Sequence, residues 1–131
     1  MKKIFVIVIL LSLTPLFANI KWAEGIEDAY EIAFKENKKV MVMLSKKGCP
    51  ACEYMEGIVF EDKNFMSFFN KDFIAVQIDI DEDFIPEGLE YFATPTFYFL
   101  NSNEKVLYRI NGAHNSKEFT KALENKVKPL K

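Results

Sequence analysis

Two cysteines are the residues of this chain whose type and spacing could do chemistry. Cys49 and Cys52 are its only cysteines, and they stand three residues apart in the sequence Cys-Pro-Ala-Cys. A bridge between residues this close closes almost no loop, so it would contribute little to the stability of a fold. The pair is therefore predicted to serve chemistry, and reversible thiol–disulfide exchange is the chemistry that two neighbouring thiols support.

Other uses of the pair are less consistent with the sequence. A structural zinc site needs four ligands, and His114 is the only histidine that could join the two cysteines. Haem attachment needs a histidine directly after the second cysteine, and residue 53 is Glu. Two inert buried thiols remain as an alternative. We expect neither a metal nor an organic cofactor.

The elements around the pair favour a reactive thiolate at Cys49. The apolar residues 40–44 predict a buried strand, and a helix is predicted from Cys49 to about residue 57 or 60, with Pro50 in its first turn. The free N–H groups and the dipole at a helix start stabilise a thiolate, which can lower a cysteine pKa from ~8.5 to roughly 3.5–7.5. Lys46 and Lys47 add positive charge, which Glu53 and Glu56 partly oppose.

The remaining pattern predicts an α/β fold with a mixed sheet of about four or five strands and helices on both faces. The first two strands are each followed by helix, which implies a parallel crossover, and the last two form an antiparallel hairpin. A helix is predicted to begin at Gly25. Its apolar stripe, which should face the core, consists of Ile26, Ala29, Tyr30, Ala33 and Phe34. The other expected elements are a helix capped by Asp62, a strand at 73–80, a short helix at 86–92, strands at 97–100 and 106–110, and a helix capped by Asn115 with Glu118 three residues on.

A second signal accompanies the cysteines. Thr94-Pro95-Thr96 stands immediately before a predicted strand. A proline there suits a cis bond that would bring this loop against the Cys pair. An ordinary strand-initiating proline is the alternative.

The beginning of the chain has the layout of a secretory signal peptide. Lys2 and Lys3 precede an apolar run at residues 4–13, and Ala18 is a small residue at a plausible cleavage site. The run is much shorter than the ~20 residues that span a bilayer. We expect residues 1–18 to be the signal peptide and residues 19–131 to form one domain, with an uncleaved anchor or a buried core helix as alternatives for the leader.

Composition bears on location and partners. The 131-residue chain has a formal net charge of −2, so its composition gives no basic field that would point to nucleic acid as a partner. Export follows from the leader, and the Lys-rich, Arg-poor usage suggests a bacterium, so the expected location is the periplasm or the secreted fraction. We expect a monomer.

Taken together, these residues resemble the thioredoxin superfamily. Within it the chain is similar to the C-terminal domain of transmembrane thiol:disulfide interchange proteins. The matching positions are Trp22, Ala29, Ala33, Lys38-Lys39-Val40, Cys49-Pro50-Ala51-Cys52, Met55-Glu56, Val59-Phe60, Asp62, Asp79-Ile80-Asp81, Tyr91 and Thr94-Pro95-Thr96-Phe97.

The resemblance implies a role for each site residue. Cys49 would attack a substrate disulfide and Cys52 would resolve the mixed disulfide, while Pro95 would be the cis-proline and the backbone of Thr94 would pair with substrate. It implies that the substrates are protein thiols and disulfides. It also implies a partner, such as a membrane electron donor, that reduces the Cys49–Cys52 disulfide again after each reaction. Two alternatives stay open, a disulfide-forming oxidant and a non-catalytic binding module with the same fold.

The chain also departs from the thioredoxin pattern. Met43 stands where thioredoxins bury an aspartate that helps to deprotonate the resolving cysteine, and Gln77 stands in place of that acid's lysine partner. Glu53 or Glu56 could substitute for the missing acid, although a solvated helix face is the simpler prediction for both.

Overall fold

A computed structural model of the protein describes residues 19–131, and the predicted signal peptide at 1–18 lies outside the described residues. In chain order the elements are α1 (Ile26–Glu36), β1 (Lys39–Ser45), α2 (Pro50–Tyr54), α3 (Lys63–Asp72), β2 (Phe73–Asp79), β3 (Thr96–Leu100), β4 (Val106–Asn111) and α4 (Ser116–Ala122). One π-helical turn, Met55–Val59, continues α2, and another, Leu123–Val127, continues α4. From residue 19 onward, none of the helices is both long and apolar enough to cross a membrane.

The strands form one mixed sheet in the order β2-β1-β3-β4. Strand β1 runs parallel to β2 and antiparallel to β3, and β3 runs antiparallel to β4. The prediction of a mixed sheet with a parallel crossover and a final hairpin is confirmed. Because β1 is central and covered on both faces, its residues Val40 to Leu44 are fully buried, as an uninterrupted apolar run requires.

Helices cover both faces of this sheet, as predicted. Ala29 and Ala33 place α1 on one face, over Val42 and the alternate residues of β2. The opposite face is covered by α2, α3 and α4, and its core is rich in phenylalanine. Around the ring of Phe119 lie Phe60, Phe65, Phe97 and Phe99, with ring centroids 4.9–6.4 Å away.

Side-chain caps fix where two helices begin. The Asp62 carboxylate accepts a hydrogen bond of 2.8 Å from the Phe65 N–H at the start of α3. The Asn115 side chain accepts one of 2.9 Å from the Glu118 N–H at the start of α4. Both caps were predicted from the sequence and are confirmed, and such a cap contributes about 1 kcal/mol.

Two predictions about local structure were wrong. Residues 86–92 do not form a helix, because Gly88 adopts a left-handed conformation at φ 88° and a turn is closed from Leu89 N–H to the Pro86 carbonyl. Phe34 does not join the buried stripe of α1 and is 71% exposed. Ala33 already faces the sheet, and each further residue of a helix turns by about 100°, which carries Phe34 out to solvent.

Candidate active site

A disulfide bond joins Cys49, the N-cap residue of α2, to Cys52 in the first turn of that helix. Their Cα atoms are 5.2 Å apart. Gly48 precedes the pair with φ +73°, a left-handed conformation in which a side chain would be strained. Pro50 begins α2, where its missing N–H leaves no hydrogen bond unmade. The strand end, the glycine and the proline together place both sulfurs at the start of the helix.

The two sulfurs differ in access and in hydrogen bonding. Cys52 is 1% exposed, whereas Cys49 is partly exposed. The Cys49 sulfur accepts hydrogen bonds from the Cys52 N–H at 3.2 Å and from the Thr94 hydroxyl at 3.3 Å. Hydrogen-bond donors of this kind stabilise a thiolate.

The Thr94–Pro95 loop lies against Cys49. The Thr94–Pro95 peptide bond is cis, as the sequence predicted, and the Thr94 carbonyl oxygen is 3.5 Å from the Cys49 sulfur. The Pro95 carbonyl accepts a hydrogen bond of 2.8 Å from the Gly112 N–H, which ties this loop to the end of β4. The structure therefore brings all four predicted site residues together: Cys49, Cys52, Thr94 and Pro95.

A cavity of about 470 Å³ opens beside Cys52, and carboxylates line much of it. Glu56, one helical turn after Cys52, is half-buried, and its carboxylate accepts a 2.6 Å hydrogen bond from the Gln77 amide. The same amide nitrogen donates to the Ser45 hydroxyl at 2.9 Å. Glu53 also lines the cavity but is exposed. The structure thus separates the two candidates for the missing acid, because Glu56 is half-buried and hydrogen-bonded to Gln77, whereas Glu53 is exposed.

The lysines near the cysteines are engaged by carboxylates. Lys46 forms an ion pair of 3.1 Å with Asp81, and Lys47 forms one of 2.6 Å with Glu82. The hydrogen bond from Lys47 to Glu82 raises the pKa of the lysine. Both lysines are largely exposed, and their charges are offset locally. The expectation that they stabilise the Cys49 thiolate is accordingly weakened.

Sequence reasoning missed the link from Gln77 to Glu56. The sequence did contain one signal that Glu56 lies near Cys52. The two residues are four apart, and this spacing places both on one face of a helix. What the sequence could not show is that β2 presents Gln77 to that face. Gln77 is the register partner of Met43, and Met43 is buried in the same core as Cys52.

Family comparison agrees with this arrangement. Residues 26–126 match the family model described as the thioredoxin-like domain. This span includes both cysteines, the Thr94–Pro95 loop and all four strands. No protein of curated function matches the chain by sequence.

Solved structures with the same fold are numerous. A thioredoxin from Thermus thermophilus is 26% identical, with 81% of this chain and 85% of that chain covered and a TM-score of 0.67. A candidate disulphide isomerase from Bacteroides thetaiotaomicron is also 26% identical, with 83% and 92% covered and a TM-score of 0.68. The oxidised C-terminal domain of Neisseria meningitidis DsbD is 15% identical, with 81% and 98% covered and a TM-score of 0.62, and this similarity is one of fold.

Proposed function

This chain belongs to the family of thioredoxin-like domains, and we propose on that premise that it is an exported thiol:disulfide oxidoreductase that works as a reductase of protein disulfides. The observation that carries the proposal is the asymmetry of the cysteine pair. Cys49 is accessible and has two hydrogen-bond donors on its sulfur, while Cys52 is buried beneath it. An exposed attacking thiolate and a protected resolving thiol are what two-step exchange needs.

The reaction runs in two displacements. The Cys49 thiolate attacks one sulfur of a substrate disulfide, which forms a mixed disulfide and releases the other substrate sulfur as a thiolate. The Cys52 thiolate then attacks the Cys49 sulfur, which forms the Cys49–Cys52 bond and releases the second substrate thiolate. Two electrons pass from the protein to the substrate, and no cofactor takes part.

Thr94 and Pro95 are the proposed substrate-binding residues. Their loop lies beside the Cys49 sulfur and is tied to the end of β4 through the Gly112 N–H. We propose that an extended substrate segment passes along this loop when it delivers its disulfide to Cys49. In this proposal the backbone of Thr94 hydrogen-bonds the segment as a neighbouring strand would.

We infer the direction of electron flow from the lack, among residues 19–131, of an unpaired positive charge beside Cys49, whose thiolate would be stabilised by hydrogen bonds and the helix start alone. Pro50 and Ala51 contribute no charge, and the charges of Lys46 and Lys47 are offset by Asp81 and Glu82. A less stabilised thiolate makes the reduced form less stable, and the pair then donates electrons more readily. We propose that a membrane electron carrier returns the Cys49–Cys52 pair to its reduced form.

We expect the pair to have a reduction potential on the reducing side of ~−180 mV and the reduced protein to cleave the disulfides of insulin. Equilibration against glutathione buffers measures the potential, and insulin turbidity measures the activity. A potential near ~−120 mV, with protein isolated fully oxidised from cells, would indicate a disulfide-forming oxidant. Failure to reduce insulin at any potential would favour a binding module.

Export is proposed from the signal-peptide pattern of residues 1–18. We expect cleavage after Ala18, so that the mature protein begins at Asn19 and is recovered from the periplasmic or secreted fraction. Mass spectrometry of the purified protein measures its N-terminus. An intact Met1 on membrane-bound protein would mean that the leader is kept as an anchor, and an intact Met1 on cytoplasmic protein would contradict export.

A further inference from the structure

One segment beside the cysteines leaves large aromatic side chains in solvent. Residues 81–94, here called the acidic aromatic segment, connect β2 to β3 with neither helix nor strand. Phe84 is 84% exposed and Phe92 is 89% exposed, and no other large apolar side chain among residues 19–131 is exposed to this degree. Burying these two rings against another molecule would remove a large apolar area from water, which makes the segment a candidate contact surface.

Both ends of the acidic aromatic segment are fixed next to the reactive pair. At its beginning, Asp81 and Glu82 form ion pairs with Lys46 and Lys47 of the loop that precedes Cys49. At its end, the Thr94 hydroxyl donates to the Cys49 sulfur. Phe92 is two residues from Thr94, and Phe84 is two residues from Glu82, so each exposed phenylalanine stands on a stretch of chain that is tethered to Cys49 or to the loop before it.

The middle of the segment is also anchored. Leu89 is 4% exposed and packs into the core on the α1 face of the sheet. The Tyr98 hydroxyl donates a 2.6 Å hydrogen bond to the Glu90 carbonyl. The chain is therefore held in place while Phe84 and Phe92 point away from the core, which is the arrangement of a preformed binding surface.

The charge of the region indicates what kind of partner fits. Between residues 79 and 94 there are six carboxylates and no basic residue: Asp79, Asp81, Glu82, Asp83, Glu87 and Glu90. Lys46 and Lys47 offset two of these charges. Glu53, exposed on the other side of the Cys52 cavity, adds another negative charge. A partner that docks here meets an excess of negative charge around apolar rings.

We propose that the acidic aromatic segment selects the protein substrate, a polypeptide segment that carries basic residues and a large apolar side chain beside its disulfide. The proposal rests on the proposed function, because it names the substrate class of the same site. The phenyl rings of Phe84 and Phe92 contact the apolar side chain, and the carboxylates attract the basic residues. Charge complementarity of this kind acts mainly on the association rate and is screened by salt.

A set of cyclic disulfide peptides tests the proposal. The peptides share length and ring size and differ only in the residues that flank the cysteines, which are Lys with Phe, Glu with Phe, Lys with Ser, or Gln with Ser. Stopped-flow fluorescence gives the second-order rate constant for ring opening by the reduced protein. Each value is divided by the rate constant for the same peptide with dithiothreitol, because basic neighbours accelerate attack by any thiolate.

We expect the Lys/Phe peptide to react roughly tenfold faster than the Glu/Phe peptide at low salt, within the range of electrostatic steering. This ratio should fall toward one as the ionic strength rises from about 0.01 M to 1 M, since the screening length then shortens from ~30 Å to ~3 Å. The Lys/Phe peptide should also react faster than the Lys/Ser peptide, at any salt concentration.

Matched variants assign the effect to the segment. Phe92→Ser should lose the preference for Phe over Ser, whereas Phe34→Ser, which changes an exposed phenylalanine on α1, should keep it. Glu87→Gln with Glu90→Gln should lower the Lys/Glu ratio more than Glu27→Gln with Glu124→Gln, since all four residues are exposed but only the first pair lies on the segment.

The outcomes separate this proposal from the proposed function. The small neutral disulfide dithiodipyridine reports the reactivity of Cys49 itself, and every variant rate is divided by it. A protein that reacts with dithiodipyridine but shows equal normalised rates for the Lys/Phe and Glu/Phe peptides overturns the charge selection. Equal loss in Phe92→Ser and Phe34→Ser overturns the role of the segment. A protein inert toward dithiodipyridine overturns the proposed function, and this inference falls with it.

Discussion

A Cys49→Ser variant is expected to lose disulfide reduction down to the uncatalysed rate, while Cys52→Ser is expected to accumulate mixed disulfides with substrate. Serine cannot supply the thiolate that begins exchange. The Cys49→Ser substitution therefore removes the accessible sulfur, which accepts hydrogen bonds from the Cys52 N–H and the Thr94 hydroxyl. At Cys52 the attacking sulfur survives but nothing resolves the intermediate. Insulin turbidity measures the first effect, and non-reducing gels of cell extracts measure the second.

The two variants are controls for each other, because both remove one sulfur from the same disulfide. If Cys49→Ser trapped substrates and Cys52→Ser did not, the assignment of attacking and resolving cysteine would be reversed. Alkylation of the reduced protein gives an independent measurement. Cys49 should react first, because Cys52 is 1% exposed.

The parts of the site that are local in sequence could be predicted. An apolar strand, a glycine turn and a proline at the first helical position place Cys49 at a helix start whatever the rest of the chain does. The caps at Asp62 and Asn115 were predictable for the same reason, since each lies three residues from the N–H that it binds. The cis bond at Pro95 needed the family resemblance as well.

The parts that depend on distant contacts could not be predicted. Residues 86–92 have the composition of a short helix, but Gly88 adopts a left-handed turn and Tyr98, eight residues beyond Glu90, binds the Glu90 carbonyl. The exposure of Phe34 depends on how α1 is rotated over the sheet, which its two alanines decide. Hydrophobic periodicity alone does not distinguish a buried phenylalanine from one at the margin of the stripe.

The proton acceptor for Cys52 is the other feature that required the tertiary structure. Before Cys52 can attack the mixed disulfide its thiol must lose a proton, and a buried thiol gives it up reluctantly. With Met43 in place of an acid on β1, the structure offers Glu56, which shares the cavity beside Cys52 and accepts a hydrogen bond from the Gln77 amide. The same amide also donates to the Ser45 hydroxyl. We propose that Glu56 receives this proton during resolution.

A Glu56→Gln variant is expected to slow the resolving step roughly 100-fold at neutral pH, at the lower end of the range for general base catalysis. Its single-turnover reaction with dithiodipyridine measures this step, because Cys49 releases the first thiopyridone and Cys52 releases the second. The first release should keep its rate and the second should lag. In the variant the second rate should rise about tenfold per pH unit below the thiol pKa, since it then follows the thiolate fraction of Cys52.

Whether the second release becomes slower or faster in Glu56→Gln shows whether Glu56 accepts the proton or acts only through its charge. A carboxylate beside a thiol disfavours the thiolate, so if Glu56 acted only through its charge, its neutralisation would speed the second release. Glu53→Gln is the matched control, because Glu53 lines the same cavity but is exposed, and its loss should leave the second release unchanged or faster. Gln77→Leu should reproduce part of the Glu56→Gln lag, since it leaves the carboxylate present but no longer held at 2.6 Å. A second release that is faster in Glu56→Gln would show that the proton leaves Cys52 by another route.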